Sequence, residues 1–337
     1  MQSVRPQLPF VLPIHVISVA FFLLLLQICP ALATQDPPAT PAQEAVVTHN
    51  VRLRPAPSTD NKPLMTLTPG EELELLDPAP TTGFYHVETE SGDQGWVSTR
   101  YVRVTPPPLH ALSAMAAGAP PASTISESWN KPAPNKTTFT GPGGNCPWNG
   151  NKLDPDTFIR KNRTDLPAES DVHDVDWSAI HDLPFPIDTK LRAKWTPAHL
   201  QEIARVEGVA LRTTGYLVAI KPQNGNKEGT NCRFSLASET DTHMALVGEV
   251  GGAEKDSVVI EYTPRFLKSH PHWNSTVLSK YRNNDIPVRV TGWLMLDPDH
   301  RNHLNKYRFT LWEIHPITKI EIFQNNSWQD LDAPLTP

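Results

Sequence analysis

Several catalytic signatures are missing from this chain. It contains no Gly-x-Ser-x-Gly, no glycine-rich phosphate loop and no His-Glu-x-x-His, which argues against nucleophile-elbow hydrolases, P-loop nucleotide-binding proteins and zincin metalloproteases. Positive charge is also short. The net charge is -6, so no global field draws the protein to nucleic acid or anionic membrane. Cysteine is scarce, 3 in 337 residues, too few and too scattered to make a zinc site alone. Long hydrophobic runs are confined to VISVAFFLLLLQI at 16–28. What the chain has in quantity is proline, 35 residues beside a hydrophobic content of 39%. That combination suits small folded units joined by Pro-rich connectors rather than one large core.

The apolar run has the form of a secretory leader. Arg5 supplies a positive n-region, and Ala31-Leu32-Ala33 ahead of Thr34 has the small-x-small pattern of a signal-peptidase site. The run is short for a membrane span, and Ile28 directly before Cys29 argues against lipoprotein processing. Residues 1–33 are therefore expected to be a cleaved signal peptide. The mature protein then has no membrane span and is exported, to the periplasm or beyond. Cys146 and Cys232 remain, and in an oxidising compartment that even pair is compatible with one disulfide.

Residues 34–45 form a polar, Pro-containing tether. From Val46 to Val104, short alternating runs (NVRLR, LMTLTPGEELELL, GFYHVET, DQGWVSTRYVRV) are separated by turn signals at Thr68-Pro69-Gly70 and Ser91-Gly92-Asp93. Period-two alternation in such short pieces predicts a small all-β unit. NVRLRPAPST (50–59), TPGEELELL (68–76), GFYHVE (83–88) and GWVSTRYV (95–102) resemble the successive strands of a bacterial SH3 domain. In an exported protein the resemblance implies recognition of cell-wall peptide, glycan or an envelope protein. Arg54, Tyr85, Trp96 and Tyr101 are the positions expected on a ligand face, with Tyr85 and Trp96 alternatively serving as core aromatics.

Residues 105–145, rich in Pro, Ala, Ser and Thr, bury too little apolar surface to offset ordering entropy and read as a disordered linker. Residues 146–194 read as an arm that packs on a second domain through the Trp, Phe and Ile of its first part. Arg160, Lys161 and Arg163 on that arm read as a solvated face.

From residue 195 the element order becomes informative. WTPAHLQEIARVEG (195–208) reads as a helix that Gly208 stops. VALRTTGYLVAI (209–220), THMALVGEV (242–250) and SVVIEYT (257–263) read as strands, HPHWNSTVLSKYRNN (270–284) as a helix, and VRVTGWLML (288–296) and RFTLWEIHPITKIEIF (308–323) as two more strands. Three strands, a helix and two strands is the order of an OB-fold barrel, here over 195–324, with a tail at 325–337. The segment from Cys146 to Phe323 also resembles, through GYLVAIK, VVIEYTPR, RVTGWLMLDPDH and TLWEIHPI, an uncharacterised group of exported bacterial OB-fold-like proteins. The expected fold class is thus mainly β: two small barrels, SH3-like and then OB-fold-like with one or two helices, joined by a disordered linker.

The last strand raises a question of its own. Glu313, His315 and Pro316 interrupt a run otherwise suited to a buried sheet, and a proline inside a strand implies a bulge. In the barrel order 1-2-3-5-4 this strand neighbours strands two and three, which carry Asp241, His243 and Glu261. Asp241 and His243, like Glu313 and His315, are spaced by two and share a strand face. If the registers cooperate, the set can bind a divalent metal, zinc being the natural choice, or do acid–base chemistry. If a bulge intervenes, it is a capped turn plus a satisfied histidine. Glu313 and Trp312 double as candidate ligand contacts. His270 and His272 read as a helix cap and staple, and His300 and His303 as loop residues, the alternative being adventitious metal uptake by the four together.

Residues 200–324 contain 15 Lys/Arg and 14 Asp/Glu, so the barrel lacks the basic groove of a strand-binding OB surface and nucleic acid is not the expected partner. The sequence therefore points to a non-catalytic envelope-binding protein that needs no cofactor. Its alternative is a metal-dependent hydrolase, a nuclease or phosphoesterase, that uses the Asp/His/Glu set.

Overall fold

The computed structural model describes residues 43–77, 79–104, 109, 112, 120–186, 192–223 and 228–333. The expected signal peptide, most of the tether, most of 105–119 and the last four residues lie outside the described residues. Among the described residues, no helix is long and apolar enough to cross a membrane.

The first unit contains β1 (Gln43–Val47), β2 (Val51–Leu53), β3 (Met65–Leu67), β4 (Glu72–Leu75), β5 (Phe84–Thr89), β6 (Gln94–Ser98) and β7 (Val102–Val104). Five of them form one sheet in the order β6-β5-β4-β1-β7, and β2 pairs with β3. The expected alternation is realised: in β4, Leu73 and Leu75 are buried while Glu72 and Glu74 are exposed. Val47, Leu53, Leu67, Val87 and Val97 complete a small aliphatic core. Burial of such side chains is worth about 1.5–3 kcal/mol each. Gly95 is required by close approach, since a Cβ there would meet the Arg54 carbonyl at 2.7 Å and the Leu53 side chain at 2.9 Å.

In the second unit, β8 (Phe139–Gly141) and β9 (Gly144–Cys146) form a hairpin, and β10 (Val172–Asp174) runs parallel to the first barrel strand. The barrel strands are β11 (Ala210–Pro222), β12 (Thr242–Val247), β13 (Val258–Tyr262), β14 (Val288–Leu296) and β15 (Trp312–Gln324). They pair in the sequence β11-β12-β13-β15-β14, and β14 closes back on β11. Taken as strands one to five this is the expected 1-2-3-5-4 circuit, with β13 and β15 parallel and the other pairings antiparallel. Two short helices, Pro264–Leu267 and Ser275–Leu278, lie between the third and fourth strands. Leu217, Leu246, Ile260, Leu294, Trp312 and Ile314 fill the interior.

Pro316 produces the expected irregularity. Opposite it the β14–β15 register shifts between Thr291 and Leu294, because proline has no N–H to give the ladder. Gly292 accommodates the distortion; a Cβ there would lie 2.5 Å from the Pro316 carbonyl oxygen.

Three expectations need correction. Residues 120–145 are not a free linker. Ala122 bridges to Val175, Trp129 stacks on His173 at 4.0 Å between ring centroids, and Ala122, Ile125 and Trp129 pack against the barrel core. Sparse apolar anchors in a polar, Pro-rich segment suffice when a neighbouring sheet edge satisfies the backbone. The tail is likewise structured up to residue 333, with β16 (Ser327–Asp330) pairing with β15. The basic residues of the arm are not a solvated face: Lys161 is 6% exposed and Arg163 2%, Arg163 stacks on Trp293 at 3.4 Å, and Arg160 pairs with Glu207 at 2.8 Å.

Cys146 and Cys232 form a disulfide across 86 residues of sequence. It fastens the arm to the loop that precedes β12. By loop-closure entropy a bond of that span contributes about 4.5 kcal/mol. The Cys146→Ser/Cys232→Ser double variant is expected to lose about that much in denaturant unfolding. Hydrogen exchange should accelerate in 146–165 ahead of the barrel strands, and uniform acceleration would contradict the assignment of the bond to the arm.

Candidate functional site

The charged set of the barrel lies on the outer face of the β12-β13-β15 sheet. Met244, Ile260 and Ile314 point into the apolar core, so by alternation His243, Glu261, Glu313 and His315 point the other way. The register brings them together. His243 is opposite Glu261, and Val259 and Ile260 are opposite Glu313 and Ile314, which places Glu261 level with His315. An outward-facing set of this kind would ordinarily meet water. Here the helix Pro155–Lys161 lies over it. That helix begins at Asp154, whose carboxylate accepts from the Thr157 N–H at 3.3 Å, and proline occupies its first turn, a favourable start.

The result is a buried electrostatic network. Asp241, Glu261, Asp297, Glu313 and His315 are all 0% exposed. Lys161 Nζ donates to Asp297 Oδ2 at 2.6 Å and lies 3.9 Å from Glu313 Oε1. Arg308 donates to Glu313 Oε2 at 2.9 Å. His315 Nδ1 lies 3.1 Å from Glu313 Oε1 and 3.0 Å from Glu261 Oε2. His243 Nε2 is 2.5 Å from Glu261 Oε1, and His300 Nδ1 is 2.7 Å from Asp297 Oδ2. Asn231 donates to Asp241 Oδ1 at 2.8 Å.

Burial and neighbouring charge pull the protonation of these groups in opposite directions. Burial disfavours the Lys161 ammonium, but Asp297, Glu313 and Glu261 outweigh it and hold its pKa well above the ordinary value. Burial also opposes the Asp297 carboxylate, yet Lys161 and His300 keep it well below the usual range. Glu313 is lowered despite burial and the Asp297 charge, by Lys161 and Arg308. Asp241 goes the other way: burial, Glu228 and Glu261 all raise it.

Of the residues singled out in the sequence, Asp241, Glu261, Glu313 and His315 thus converge, and His243 joins them at the rim. Trp312 does not belong to the set. It is 1% exposed, sits in the barrel core and donates to the Pro184 carbonyl at 3.0 Å, because odd and even positions of β15 face opposite ways. Glu313 is equally out of reach of an external ligand. Lys161, Asn231, Asp297 and His300 were not foreseen as members. Only the Asp297-Pro298-Asp299-His300 sequence, directly after a buried strand, offers a local signal, and it covers two of them, Asp297 and His300. Beside the cluster is a cavity of about 290 Å³ lined by Lys161, Glu228, His243 and His300 among others.

On the first unit, Arg54 and Trp96 are brought together by paired backbone hydrogen bonds of 2.9 and 2.8 Å. Trp96 is half-buried and stacks on His86 at 4.6 Å with planes 12° apart. It is not a core aromatic, since its neighbours Gly95 and Val97 take the inward positions. Arg54 Nη1 donates to the Thr59 and Asn61 carbonyls at 2.9 and 2.8 Å, fixing the following loop. Tyr85 packs against the core, and burial pushes its hydroxyl pKa up. Tyr101 is 42% exposed and beside His49.

Replacing Lys161 with Met leaves Asp297 buried without its ammonium. Breaking a buried pair costs about 3–5 kcal/mol, and a loss of that size is expected in denaturant unfolding at pH 7. Because the folded pKa of Asp297 is depressed, its contribution is present above the unfolded carboxylate pKa of about 4 and disappears as pH falls through the folded value. The wild-type advantage over Lys161→Met should therefore shrink below about pH 4. A deficit independent of pH would assign the lysine a packing role only.

No curated protein matches the chain. Residues 49–103 match the family model of the bacterial SH3 domain. The match coincides with the strands just described, from the approach to β2 through most of β7, and it takes in Arg54, His86 and Trp96. This segment of the chain is a bacterial SH3 domain.

Proposed function

We propose that the chain is an exported, non-catalytic binding protein of the bacterial envelope. Its SH3 domain is the targeting module for cell-wall peptide or glycan, and its barrel carries a second binding surface. The observation that carries this is the SH3 family match at residues 49–103, a domain type that commonly binds cell-wall components and is typical of envelope proteins. The Trp96–His86 stack beside Arg54 supports a ligand face there. It offers a flat aromatic surface next to a guanidinium, which suits a sugar face or a peptide carboxylate. The charge balance of the barrel supports a wall or protein partner over nucleic acid.

The test is cosedimentation of the full chain with purified sacculi. Wild type is expected in the pellet. Trp96→Ala, which removes an aromatic anchor worth about 2 kcal/mol, should weaken binding roughly thirtyfold without changing the thermal midpoint of the barrel. Competition with soluble stem peptide or with glycan strands distinguishes the two wall ligands. Wild-type protein left wholly in the supernatant would remove the targeting role.

A further inference from the structure

The strongest unexplained feature lies within the buried network. Asp297 is answered by Lys161 and Glu313 by Arg308. Among the described residues, Asp241 and Glu261 form no ion pair with a lysine or arginine; their close partners are the imidazoles of His243 and His315, and Lys161 and Arg265 act on them only at longer range. At the edge, half-buried Glu228 and Arg265 add one charge of each sign and leave the balance unchanged. With the imidazoles neutral, as metal ligation requires, the acids named here carry two formal negative charges more than the described lysine and arginines supply, in a place where uncompensated charge is costly.

The second observation is geometric. One donor atom each from Asp241, Glu261 and His315 can be chosen so that all three lie within 4.8 Å of one another. Asp241 Oδ2 and His315 Nε2 are both fully enclosed and have no hydrogen-bond partner among the described residues. They are 3.7 Å apart, too far for a hydrogen bond between them. That separation is close to what two ligands of one ion adopt, about 3.4 Å for tetrahedral bonds of about 2.1 Å. The other nitrogen of His315 lies 3.0 Å from Glu261 Oε2 and 3.1 Å from Glu313 Oε1; Glu313 gives the carboxylate support that metal-bound histidines usually have, and Glu261 turns from Nδ1 toward the ion to ligate it. Asn231 is hydrogen-bonded to Asp241 and carries a further unpartnered oxygen, Oδ1.

We propose that Asp241, Glu261 and His315 form a binding site for one divalent transition-metal ion of the zinc or manganese type. Mixed carboxylate and imidazole donors favour these ions over magnesium or calcium, which take oxygen ligands. The ion takes the place of the proton that the surrounding carboxylates otherwise hold on His315, and ties the start of β12 to β13 and β15 under the arm. The cavity lined by His243, Glu228 and Lys161 lies beside it as the way in. Because the donors are enclosed, the site resembles a resident structural ion more than an open catalytic one.

The test is elemental analysis of the full chain after loading separately with zinc, manganese and magnesium and exhaustive dialysis, with thermal unfolding in parallel. One equivalent of zinc or manganese per chain, with a raised thermal midpoint and no retained magnesium, is expected. Asp241→Asn and His315→Gln should each lower retention at least tenfold, while His303→Ala and His272→Ala should leave it intact. If the first two variants fail to fold, the wild-type stoichiometry decides. Retention below about a tenth of an equivalent for every ion overturns the proposal. So does retention that survives Asp241→Asn or is lost in the surface-histidine variants, which would show an adventitious ion only. No wall material enters this measurement, so its outcome is independent of the targeting role.

Discussion

The second unit depends on one desolvated ion pair, Lys161 with Asp297. A lysine ammonium taken out of water has to be met by acids at hydrogen-bond distance, and it is: Asp297 directly and Glu313 just beyond. That contact joins the arm helix to the end of the fourth barrel strand and to the fifth. The helix, once in place, removes solvent from the outer face of three strands. The carboxylates beneath it then fall under the low-dielectric regime in which unpaired charge is heavily penalised and each pairing is correspondingly strong. The disulfide from Cys146 to Cys232 and the stacking of Arg163 on Trp293 act on either side of the same helix, holding the roof over the cluster.

The two units use β structure for different ends. In the SH3 domain the alternation places aliphatic side chains in a small core and leaves Trp96, His86 and Arg54 outward, on a face that water reaches. In the barrel the same alternation leaves Glu261, Glu313 and His315 outward, but the arm covers them. Outward position along a strand therefore means solvent-facing surface in one unit and buried network in the other. The difference comes from residues remote in sequence, since Lys161 and Asp297 are separated by more than a hundred positions.

Much of the architecture was legible because it rests on local signals. Period-two runs marked the SH3 strands, and the strand-strand-strand-helix-strand-strand order gave the barrel circuit. Pro316 announced its bulge. The convergence of Asp241, Glu261, Glu313 and His315 was legible only conditionally, through their spacing by two and the neighbour relation of the strands. What escaped was whatever depended on cover. Lys161 and Arg163 look like ordinary surface cations in a polar arm, and residues 120–145 look like a linker, because neither the guanidinium's indole partner nor the sheet edge that accepts Ala122 is nearby in sequence. Trp312 reads as a candidate ligand contact in sequence and is a core residue in the fold, because a single tryptophan in a strand does not reveal which way it points until the register is fixed.

The sequence by itself determined the β character of both units, the SH3 domain and its turns, and the identity of the residues able to carry charge or bind metal, since these follow from side-chain chemistry and short-range periodicity. Only the tertiary structure decided which of those residues meet, which face outward to solvent, and which are sealed beneath the arm. Strand register and long-range cover are set by packing between segments far apart in the chain, and no local pattern encodes them.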